Sequence, residues 1–397
     1  MPWKTLSLLK VRQRLVQAVL ARRQTVQTLA RRCGVSRKSA YKWLHRFRQQ
    51  GLAGLRDQSR RPHRSPGRLT RGWIQAIERV RRARPHWGAK KIHRWLRRQS
   101  PRRRLPCVRT IQRWLQRAGW VRSRPRRARR GPAVLHPGLT VARRPNQVWT
   151  VDFKGWFRTA DGVRQEPLTV RDQFSRYGLC LRLLPNQDDP AVRRVMARLF
   201  QARGLPTSIR VDNGSPFGGK GALGLSRLSV WWLRLGIRVE FTRRARPGDN
   251  AAHEQFHGCY QREVVAAGDV DRRATQAHST RWLAQYNQER PHEALGGRTP
   301  AQVYRPSHRA CPPTLPPLVY PRRWPLRRVR NRGHIKWRGR LRFIGRAFVG
   351  QTVSLQPLSP TVQAVYCGKL LIGHLHEPDA SGMRPAHWHR RPEPLRL

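Results

Sequence analysis

Apolar residues recur at helical spacing near the amino terminus, in the segment TVQTLARRCGVSRKSAYKWLHRF (25–47). The inward positions of this pattern are Leu29, Ala30, Val35, Ala40 and Trp43. Gly34 stands where two helices must turn sharply, and Ser36 can cap the second helix. The pattern predicts a helix-turn-helix domain over residues 11–60, and the alternative is an ordinary helical hairpin with a solvated basic face.

A second helical pattern covers residues 68–121. It contains WGAKKIHRWLRR (87–98) and VRTIQRWLQRAGW (108–120), in which Gly119 suits a helix end. We predict a second helical DNA-binding unit here. Residues 122–145 follow as a basic linker, because RSRPRRARRGP is too rich in Arg and Pro to pack into a core, and its expected role is to track phosphates.

The central residues 146–304 change to a mixed pattern. Strands are predicted over 147–157, 166–174, 177–184, 208–212 and 237–242, the first three as an antiparallel meander. Helices are predicted over 189–204, 224–236 and 250–265, with Asn250 as the N-cap of the last. The order of these elements predicts an α/β core with a mixed sheet.

The remaining residues predict a third kind of structure. Residues 305–332 are rich in Pro and read as an extended linker. Residues 333–377 show five short strand patterns joined by Gly turns, which predict a small β-barrel. The last twenty residues have little apolar pattern, and we expect them to be disordered. The expected fold class is therefore all-α helix-turn-helix units, an α/β core and a small carboxy-terminal β-barrel.

The net charge of the chain indicates which class of partner it binds. The 397 residues include 84 Lys and Arg but 20 Asp and Glu, a formal net charge of +64. Such a balance indicates a polyanion, and nucleic acid is favoured over a membrane surface. Arg-rich codon usage explains the preference for Arg over Lys but not the scarcity of acids. The exposed face of the helix that begins near Ser36 is predicted to contact nucleic acid through Arg37, Lys38, Lys42 and Arg46.

Other compositional features exclude alternatives. The six cysteines form no C-x-x-C pair, so a zinc ribbon or a disulfide framework is not expected, and a reducing cytosol fits. No run approaches the 18 apolar residues that suggest a membrane span, so we expect no membrane partner. The expected location is the cytoplasm of a bacterium, with the protein on the nucleoid.

Three carboxylates stand inside apolar segments of this basic chain. Asp152 lies in the middle of a strand, Asp212 at the end of a strand before the Asn213-Gly214 turn, and Glu254 in the first turn of a helix. Hard cations such as Mg²⁺ prefer oxygen ligands, and two ions about 4 Å apart serve displacement at phosphorus. The three residues are therefore candidates for holding divalent ions against a nucleic-acid phosphate.

The segments around these carboxylates carry a resemblance. VWTVDFKGWF, IRVDNGSPF, RPGDNAAHEQFHGCYQREV and YNQERPHEALGGRTPAQVY resemble the integrase catalytic core of retroviral-type integrases and insertion-sequence transposases. The resemblance implies an RNase H-like fold for residues 146–304. It also implies that Asp152, Asp212 and Glu254 are the catalytic triad that holds two Mg²⁺ (or Mn²⁺) ions.

Two positions depart from the commonest form of that family. Ala251 stands where Gly is usual, and Gln255 stands where Arg is usual, which removes a phosphate contact. Asn213 and His257 are predicted to lie near the triad and to contact nucleic acid. The helix-turn-helix units are also similar to those of such transposases, whereas the carboxy-terminal barrel matches only in outline.

Competing interpretations exist for several of these residues. Asp249 is a rival third acid, but Gly248-Asp249-Asn250 reads as a capping loop. The run from His253 to His257 matches the H-E-x-x-H motif of zinc proteases, without a third ligand or any such context. Asp172 reads better as a hydrogen-bonded structural carboxylate, and Trp231 and Trp232 as core residues. Five further residues close the core, and the sequence allows either a structural or a DNA-contacting role for them: Tyr286, Asn287, Arg290, Pro291 and His292.

The residues together with the resemblance predict a DDE-type transposase of an insertion sequence. Helix-turn-helix units would recognise terminal inverted repeats, and the core would nick the element end and join the freed 3′-OH to target DNA. By resemblance we expect a homo-oligomer. The rivals are a catalytically inactive, domesticated DNA-binding protein or repressor, and an RNase H-like nuclease that acts on hybrids.

Overall fold

The computed structural model of the chain describes residues 7–22, 24–59, 69–121, 138–243, 247–380 and 382–386. The chain divides into two compact units, Met1–Arg68 and Leu69–Leu397. The predicted basic stretch 122–132 and the final residues 387–397 lie outside the described residues. Among the helices of the described part, none is both long and apolar enough to cross a bilayer.

The described part of the first unit contains the α-helices α1 (Leu8–Leu20), α2 (Val26–Arg32) and α3 (Arg37–Gln50), followed by a 3-10 turn over Gly51–Leu55. The Ser36 side chain accepts a hydrogen bond from the Ser39 N–H at 3.2 Å, so the predicted cap of α3 is confirmed. Gly34 adopts φ +64°, a conformation that glycine reaches at no steric cost, in the turn between α2 and α3. Trp43 and Ala40 are buried as expected, and the helix-turn-helix prediction is confirmed.

The second unit begins with another helical cluster: α4 (Arg71–Ala83), α5 (Ala89–Gln99) and α6 (Val108–Arg117). Its core follows helical spacing and combines aliphatic side chains with the buried Trp87; the aliphatic residues are Ile77, Val80, Ile92, Leu96, Ile111 and Leu115. The Arg81 guanidinium joins the ends of the cluster, because it donates to the carbonyls of Trp87 at 2.7 Å and Trp120 at 2.5 Å.

A mixed sheet forms the centre of the second unit. Its strands are β1 (Val148–Phe153), β2 (Phe157–Arg158), β3 (Arg164–Asp172), β4 (Gly178–Leu184), β5 (Ser208–Val211) and β6 (Arg238–Phe241). β3 pairs antiparallel with β1, β2 and β4, and β5 lies parallel between β1 and β6. The predicted meander and mixed sheet are therefore confirmed.

Five helices accompany this sheet: α7 (Asp189–Arg203), α8 (Arg227–Arg234), α9 (Ala251–Glu263), α10 (Arg272–Gln288) and the short α11 (Pro300–Val303). Large aromatic side chains fill the core; Trp149 stacks on Phe200 with ring centroids 5.9 Å apart, and Trp232 is fully buried. The core interpretation of Trp231 and Trp232 is confirmed. Helix α10 is absent from the prediction.

The carboxy-terminal strands do not close into the predicted barrel. β7 (Leu326–Arg328), β10 (Thr352–Ser359), β11 (Val362–Cys367), β12 (Leu370–His376) and β13 (Arg384–Pro385) form an open sheet in the order β13-β12-β11-β10-β7. β8 (His334–Trp337) and β9 (Arg340–Phe343) form a separate hairpin. Closure would require the edge strands to pair, and these edges are two and three residues long.

The Pro-rich segment after α11 is bound along the core. The Ser307 hydroxyl donates to the Leu205 carbonyl at 2.6 Å, and the Arg309 guanidinium donates to the Gly236 carbonyl at 2.9 Å. Leu315 and Leu318 pack against the same apolar cluster as Trp149. Residues 307–318 are therefore attached to the core, and the predicted linker 305–332 also contains strand β7.

Candidate active site

The register of two parallel strands brings Asp152 and Asp212 to the same level of the sheet. Thr150 of β1 lies opposite Arg210 of β5, and each aspartate follows its strand's member of this pair by two positions. Adjacent strands lie about 4.8 Å apart, so the two backbones carry their carboxylates side by side at the carboxyl ends of β1 and β5. Binding sites of α/β sheets commonly form at this edge.

The pKa of Asp152 is affected by the charges of the other two acids, Asp212 and Glu254. Burial and, after it, the charge of Asp212 raise the pKa of Asp152, the Phe153 N–H lowers it and Glu254 raises it slightly, and together these effects bring the pKa to about 7. Burial also raises the pKa of Asp212, which the Gly214 N–H opposes. Glu254 is exposed in the first turn of α9. The structure therefore places all three predicted carboxylates in one electrostatic environment.

Thr169 is one of the residues that attach helix α9 to the sheet. The Thr169 hydroxyl donates to the Asp152 carbonyl at 2.9 Å. It also lies 2.6 Å from Nε2 of His253 and 2.7 Å from Nε2 of His257. A hydroxyl has one proton to donate, so both histidines donate Nε2–H to this oxygen. Thr169 thus joins the strand that carries Asp152 to the helix that carries Glu254.

Both histidines are held neutral by their surroundings. Burial, together with the charges of Lys154 and Arg171, lowers the pKa of His257 to about 3, and burial lowers the pKa of His253 well below its usual value. Nδ1 of His253 lies 2.7 Å from the Thr150 hydroxyl, so this ring is bonded on both sides. The two rings face the sheet, whereas Glu254 faces solvent. This geometry differs from that of a zinc protease, in which the two histidines share a metal.

Asn250 contacts the triad directly. It occupies the N-cap position of α9, as predicted, but its side chain makes no capping hydrogen bond. Instead, Nδ2 of Asn250 donates to Oδ2 of Asp152 at 3.2 Å. The sequence interpretation missed this role, because an Asn immediately before a helix is an ordinary N-cap and gives no signal of a contact with an acid.

The other candidate acids, Asp249 and Asp172, form hydrogen bonds with residues outside the triad. Asp249 is buried and bonded to the Arg243 guanidinium, with Oδ1 2.7 Å from Nη2. Asp172 accepts hydrogen bonds from the Asn146 N–H, the Ser175 N–H and the Ser175 hydroxyl, which confirms its structural role. Asp249 is therefore engaged with Arg243, whereas Glu254 is exposed, which agrees with the choice of Glu254 as the third acid.

The residues that close the core make structural contacts. Asn287 accepts from the Gly178 N–H and donates to its carbonyl, as a strand neighbour would. The Arg290 guanidinium forms an ion pair with both oxygens of Glu263, at 2.7 and 2.8 Å. Tyr286 is buried with its ring perpendicular to that of Phe256. These contacts favour the structural interpretation for this segment.

The predicted nucleic-acid residues occupy different situations. Arg37, Lys38 and Lys42 are exposed on α3, and Arg46 is half-buried over the Trp43 ring. Asn213 is exposed beside Asp212, and its side-chain amide donates to the Thr242 carbonyl at 2.6 Å. His257 is half-buried on Thr169, as described above.

The donor set fits a hard divalent cation. The three acids offer only carboxylate oxygens. Burial and the neighbouring acids disfavour the charged form of Asp152, and a bound cation would stabilise that charge. Within the described ranges, no group of three His, Cys, Asp or Glu side chains is drawn close enough to hold a metal on its own. Mg²⁺ usually takes one or two carboxylates and completes its shell with water and substrate phosphate oxygens, so such a cage is not required.

Comparison with family models gives the following matches. Two models described as integrase core domain match residues 142–247 and 235–300. A model described as helix-turn-helix domain matches residues 11–63, and one described as homeodomain-like domain matches residues 39–115. The integrase matches together cover the sheet, α9 and all three carboxylates.

Two proteins of bacterial insertion elements are similar in sequence. The chain is 28% identical over 200 residues to the insertion element IS407 uncharacterized 31.7 kDa protein of Burkholderia multivorans, covering 49% of this chain and 68% of that protein. It is 26% identical over 253 residues to the insertion element IS476 uncharacterized 39.2 kDa protein of Xanthomonas euvesicatoria, covering 63% and 70%.

Two solved structures show remote similarity. The HTLV-2 integrase catalytic core domain in complex with magnesium (trimeric form) has a TM-score of 0.33 and 13% identity, covering 42% of this chain and all of that one. A simian T-cell lymphotropic virus intasome in complex with PP2A regulatory subunit B56 gamma has a TM-score of 0.35 and 15% identity, covering 74% and 97%.

Proposed function

We propose a reaction for this chain from the family to which it belongs, the DDE-type transposases of insertion elements that carry an integrase core domain. The chain cuts one DNA strand at the end of its element and joins the freed 3′-OH to target DNA. The observation that carries the proposal is the register of β1 and β5, which sets Asp152 and Asp212 at one level, with Glu254 near enough to act on the Asp152 pKa.

We assign Asp152, Asp212 and Glu254 to the binding of two Mg²⁺ or Mn²⁺ ions. When bound, the ions supply Lewis-acid activation of the attacking oxygen and charge stabilisation of the leaving oxygen. Asn250 orients the Asp152 carboxylate through its 3.2 Å hydrogen bond. The His253–Thr169–His257 contacts hold α9 against β3 and so set where Glu254 stands.

DNA recognition is assigned to the amino-terminal helices. Arg37, Lys38 and Lys42 project from α3, the second helix of the helix-turn-helix, which is the position that enters the major groove in such domains. Arg46 and Asn213 are assigned to phosphate contacts. The half-buried His257 supports the site through its hydrogen bond to Thr169. The DNA substrates are the terminal inverted repeats and the target duplex.

We also propose that the active form is a homo-oligomer, because joining two element ends to one target requires two sets of end-binding domains. The protein would work on the nucleoid in the bacterial cytoplasm, where such DNA lies. Both statements follow from the reaction and from the family.

One assay tests this function against its rivals. The full chain is incubated with a duplex of its element end, supercoiled plasmid and Mg²⁺ or Mn²⁺, and products are resolved on denaturing gels. A transposase yields a nick at the element end and end–plasmid joints. A repressor binds the end without any nick, and a hybrid-specific nuclease cuts RNA–DNA hybrid but forms no joints; either result overturns the proposal.

A further inference from the structure

A cavity of about 600 Å³ lies at the end of the central sheet remote from Asp152. Its lining includes Gln173, whose N–H donates to the carbonyl of Val148, the first residue of β1. Asp152 stands four positions further along the strand, about 13 Å away at the rise of a β-strand. The cavity is therefore separate from the acidic cluster.

The lining combines apolar walls with two guanidinium groups. Val141, Phe174, Leu295 and Val303 supply the apolar surface, and Arg176 and Arg298 supply the charge. The carboxylates next to these residues in sequence are already engaged: Asp172 accepts three hydrogen bonds, and Glu293 lies 2.7 Å from the Lys90 ammonium. The cavity therefore carries net positive charge.

Arg176 is held in this position at two separate costs. Its backbone adopts φ +63°, the left-handed region that a long side chain rarely occupies. Its guanidinium is half-buried, and within the described residues it makes neither a hydrogen bond nor an ion pair. Burial accordingly lowers the pKa of Arg176, and Asp172 and Tyr286 oppose that only in part.

A structural role does not explain these costs. Asn or Gly would occupy the left-handed turn with less strain, and neither would leave a partly desolvated cation without a partner. A ligand that accepts hydrogen bonds and carries negative charge explains both features. The exposed Arg143 and Arg144 follow Val141 and Ala142 of the lining, so the positive surface extends beyond the cavity.

We propose that the Arg176 pocket, lined by Val141, Phe174, Arg176, Leu295, Arg298 and Val303, binds a backbone phosphate of DNA at a site remote from the cut. The phosphate accepts hydrogen bonds from Arg176 and Arg298, and the adjoining deoxyribose packs on the apolar wall. The contact is independent of sequence because it reads no base edge. The proposal rests on the proposed function in taking DNA as the ligand.

The test compares three full-length variants with the unaltered chain. Arg176→Asn suits the left-handed turn but removes the guanidinium, and Arg176→Lys keeps the charge without the planar fork. The control, Arg194→Gln, removes the same charge from an exposed position on α7. Binding of an element-end duplex and of an unrelated duplex of equal length is measured from about 50 to 200 mM salt, and melting temperatures are recorded.

The expected result is specific to one phosphate. Arg176→Asn weakens binding of both duplexes about tenfold, and it lowers the slope of log K against log salt by about 0.9. Arg176→Lys keeps the slope, and no variant lowers the melting temperature. Phosphate ethylation interference on the element end loses one blocking position with Arg176→Asn only. At saturating DNA, Arg176→Asn still forms joints, so this test is separate from that of the triad.

Other outcomes overturn the proposal. It is wrong if Arg176→Asn binds with an unchanged slope and interference pattern. It is equally wrong if Arg194→Gln causes the same loss as Arg176→Asn, because the effect is then one of total charge. A lowered melting temperature of Arg176→Asn with unaltered DNA binding would assign Arg176 to the fold.

Discussion

Asn250 donates a hydrogen bond to Asp152 from a helix position where asparagine ordinarily caps the helix itself. Because the side chain makes no cap, Asn250→Ala should alter the unfolding free energy by less than about 0.5 kcal/mol, below the usual range for a lost cap. The same change should lower strand transfer about tenfold, because the Asp152 carboxylate loses its orientation.

Asp271→Ala is the matched comparison. The Asp271 carboxylate caps α10, accepting from the Ala274 N–H at 2.7 Å, so its loss should cost about 1 kcal/mol and leave strand transfer unchanged. Chemical denaturation and joint formation measured on both variants give the result. A reversed pattern, with Asn250→Ala unstable and fully active, would show that Asn250 serves the helix alone.

Asp152 should make the protein less stable as pH rises. Its folded-state pKa of about 7 lies above the value of about 3.8 for an exposed aspartate, so the folded chain binds the extra proton. Stability that is present in full below pH 4 is therefore lost as pH rises through 7. Asp152→Asn removes this effect and should raise the unfolding free energy at pH 8 by about 2–4 kcal/mol, with little change at pH 4.

Thermal unfolding in metal-free buffer at the two pH values measures this directly. Added Mg²⁺ should stabilise the unaltered protein, because an ion bound to the native state adds to its stability, and it should stabilise Asp152→Asn much less. If Asp152→Asn is no more stable than the unaltered protein at pH 8, the ionised Asp152 carboxylate costs the fold nothing and the prediction is wrong.

Thr169 should be intolerant of losing its hydroxyl. Thr169→Val keeps the shape but leaves Nε2–H of two buried histidines without an acceptor, at about 1–3 kcal/mol for each group. We expect a loss of about 2–5 kcal/mol in unfolding free energy and a fall in strand transfer, because α9 loses two of its hydrogen bonds to the sheet. Thr169→Ser retains the hydroxyl and should lose about 1 kcal/mol, the cost of one methyl group.

Guanidine unfolding of the two variants decides this prediction. If Val and Ser at position 169 are equally stable, the hydroxyl contributes nothing and the contacts to His253 and His257 are incidental.

A histidine far from the triad should set part of the acid sensitivity. Burial lowers the pKa of His292 to about 3, and its Nε2 is buried without a partner in the described part of the chain. The folded state therefore binds fewer protons than the unfolded state between about pH 3 and 6.5, and stability falls as pH is lowered through that range.

His292→Phe removes the titrating ring and keeps its packing beside Tyr286. The loss of unfolding free energy between pH 6.5 and 5 should shrink by about 2 kcal/mol relative to the unaltered protein. Melting temperatures at pH 7.5, 6.5 and 5 test this, and parallel pH curves for the two proteins would contradict it.

The sequence predicted those parts of the fold in which local pattern and burial agree. The strands of the central sheet, α7 closed by Gly204 and the cap at Ser36 all carry short-range signals. The strand predicted over 147–157 is divided into β1 and β2, and the other elements lie where they were expected. The three carboxylates were identified because an acid inside an apolar segment is unusual in so basic a chain.

Features that depend on long-range packing were not predictable. Helix α10 buries Thr275, Ser279 and Asn287 beside Trp282 and Tyr286, so its inward face does not read as apolar. The Asn250 side chain bonds to Asp152 instead of capping α9, and this depends on where α9 meets β1. The barrel prediction failed because short strands with Gly turns look the same in an open sheet and a closed one.

The central claim is that Asp152, Asp212 and Glu254 form one metal-dependent site for DNA joining. Single-turnover strand transfer in Mg²⁺ by Asp152→Asn, Asp212→Asn and Glu254→Gln tests it. The control is Asp379→Asn, which alters a half-buried carboxylate paired to Arg384. We expect each triad variant to lose at least about 10²-fold in joining rate, a size typical of removing a key electrostatic group, while DNA binding and the control stay unchanged. Any triad variant that joins DNA at the rate of the unaltered protein contradicts the account.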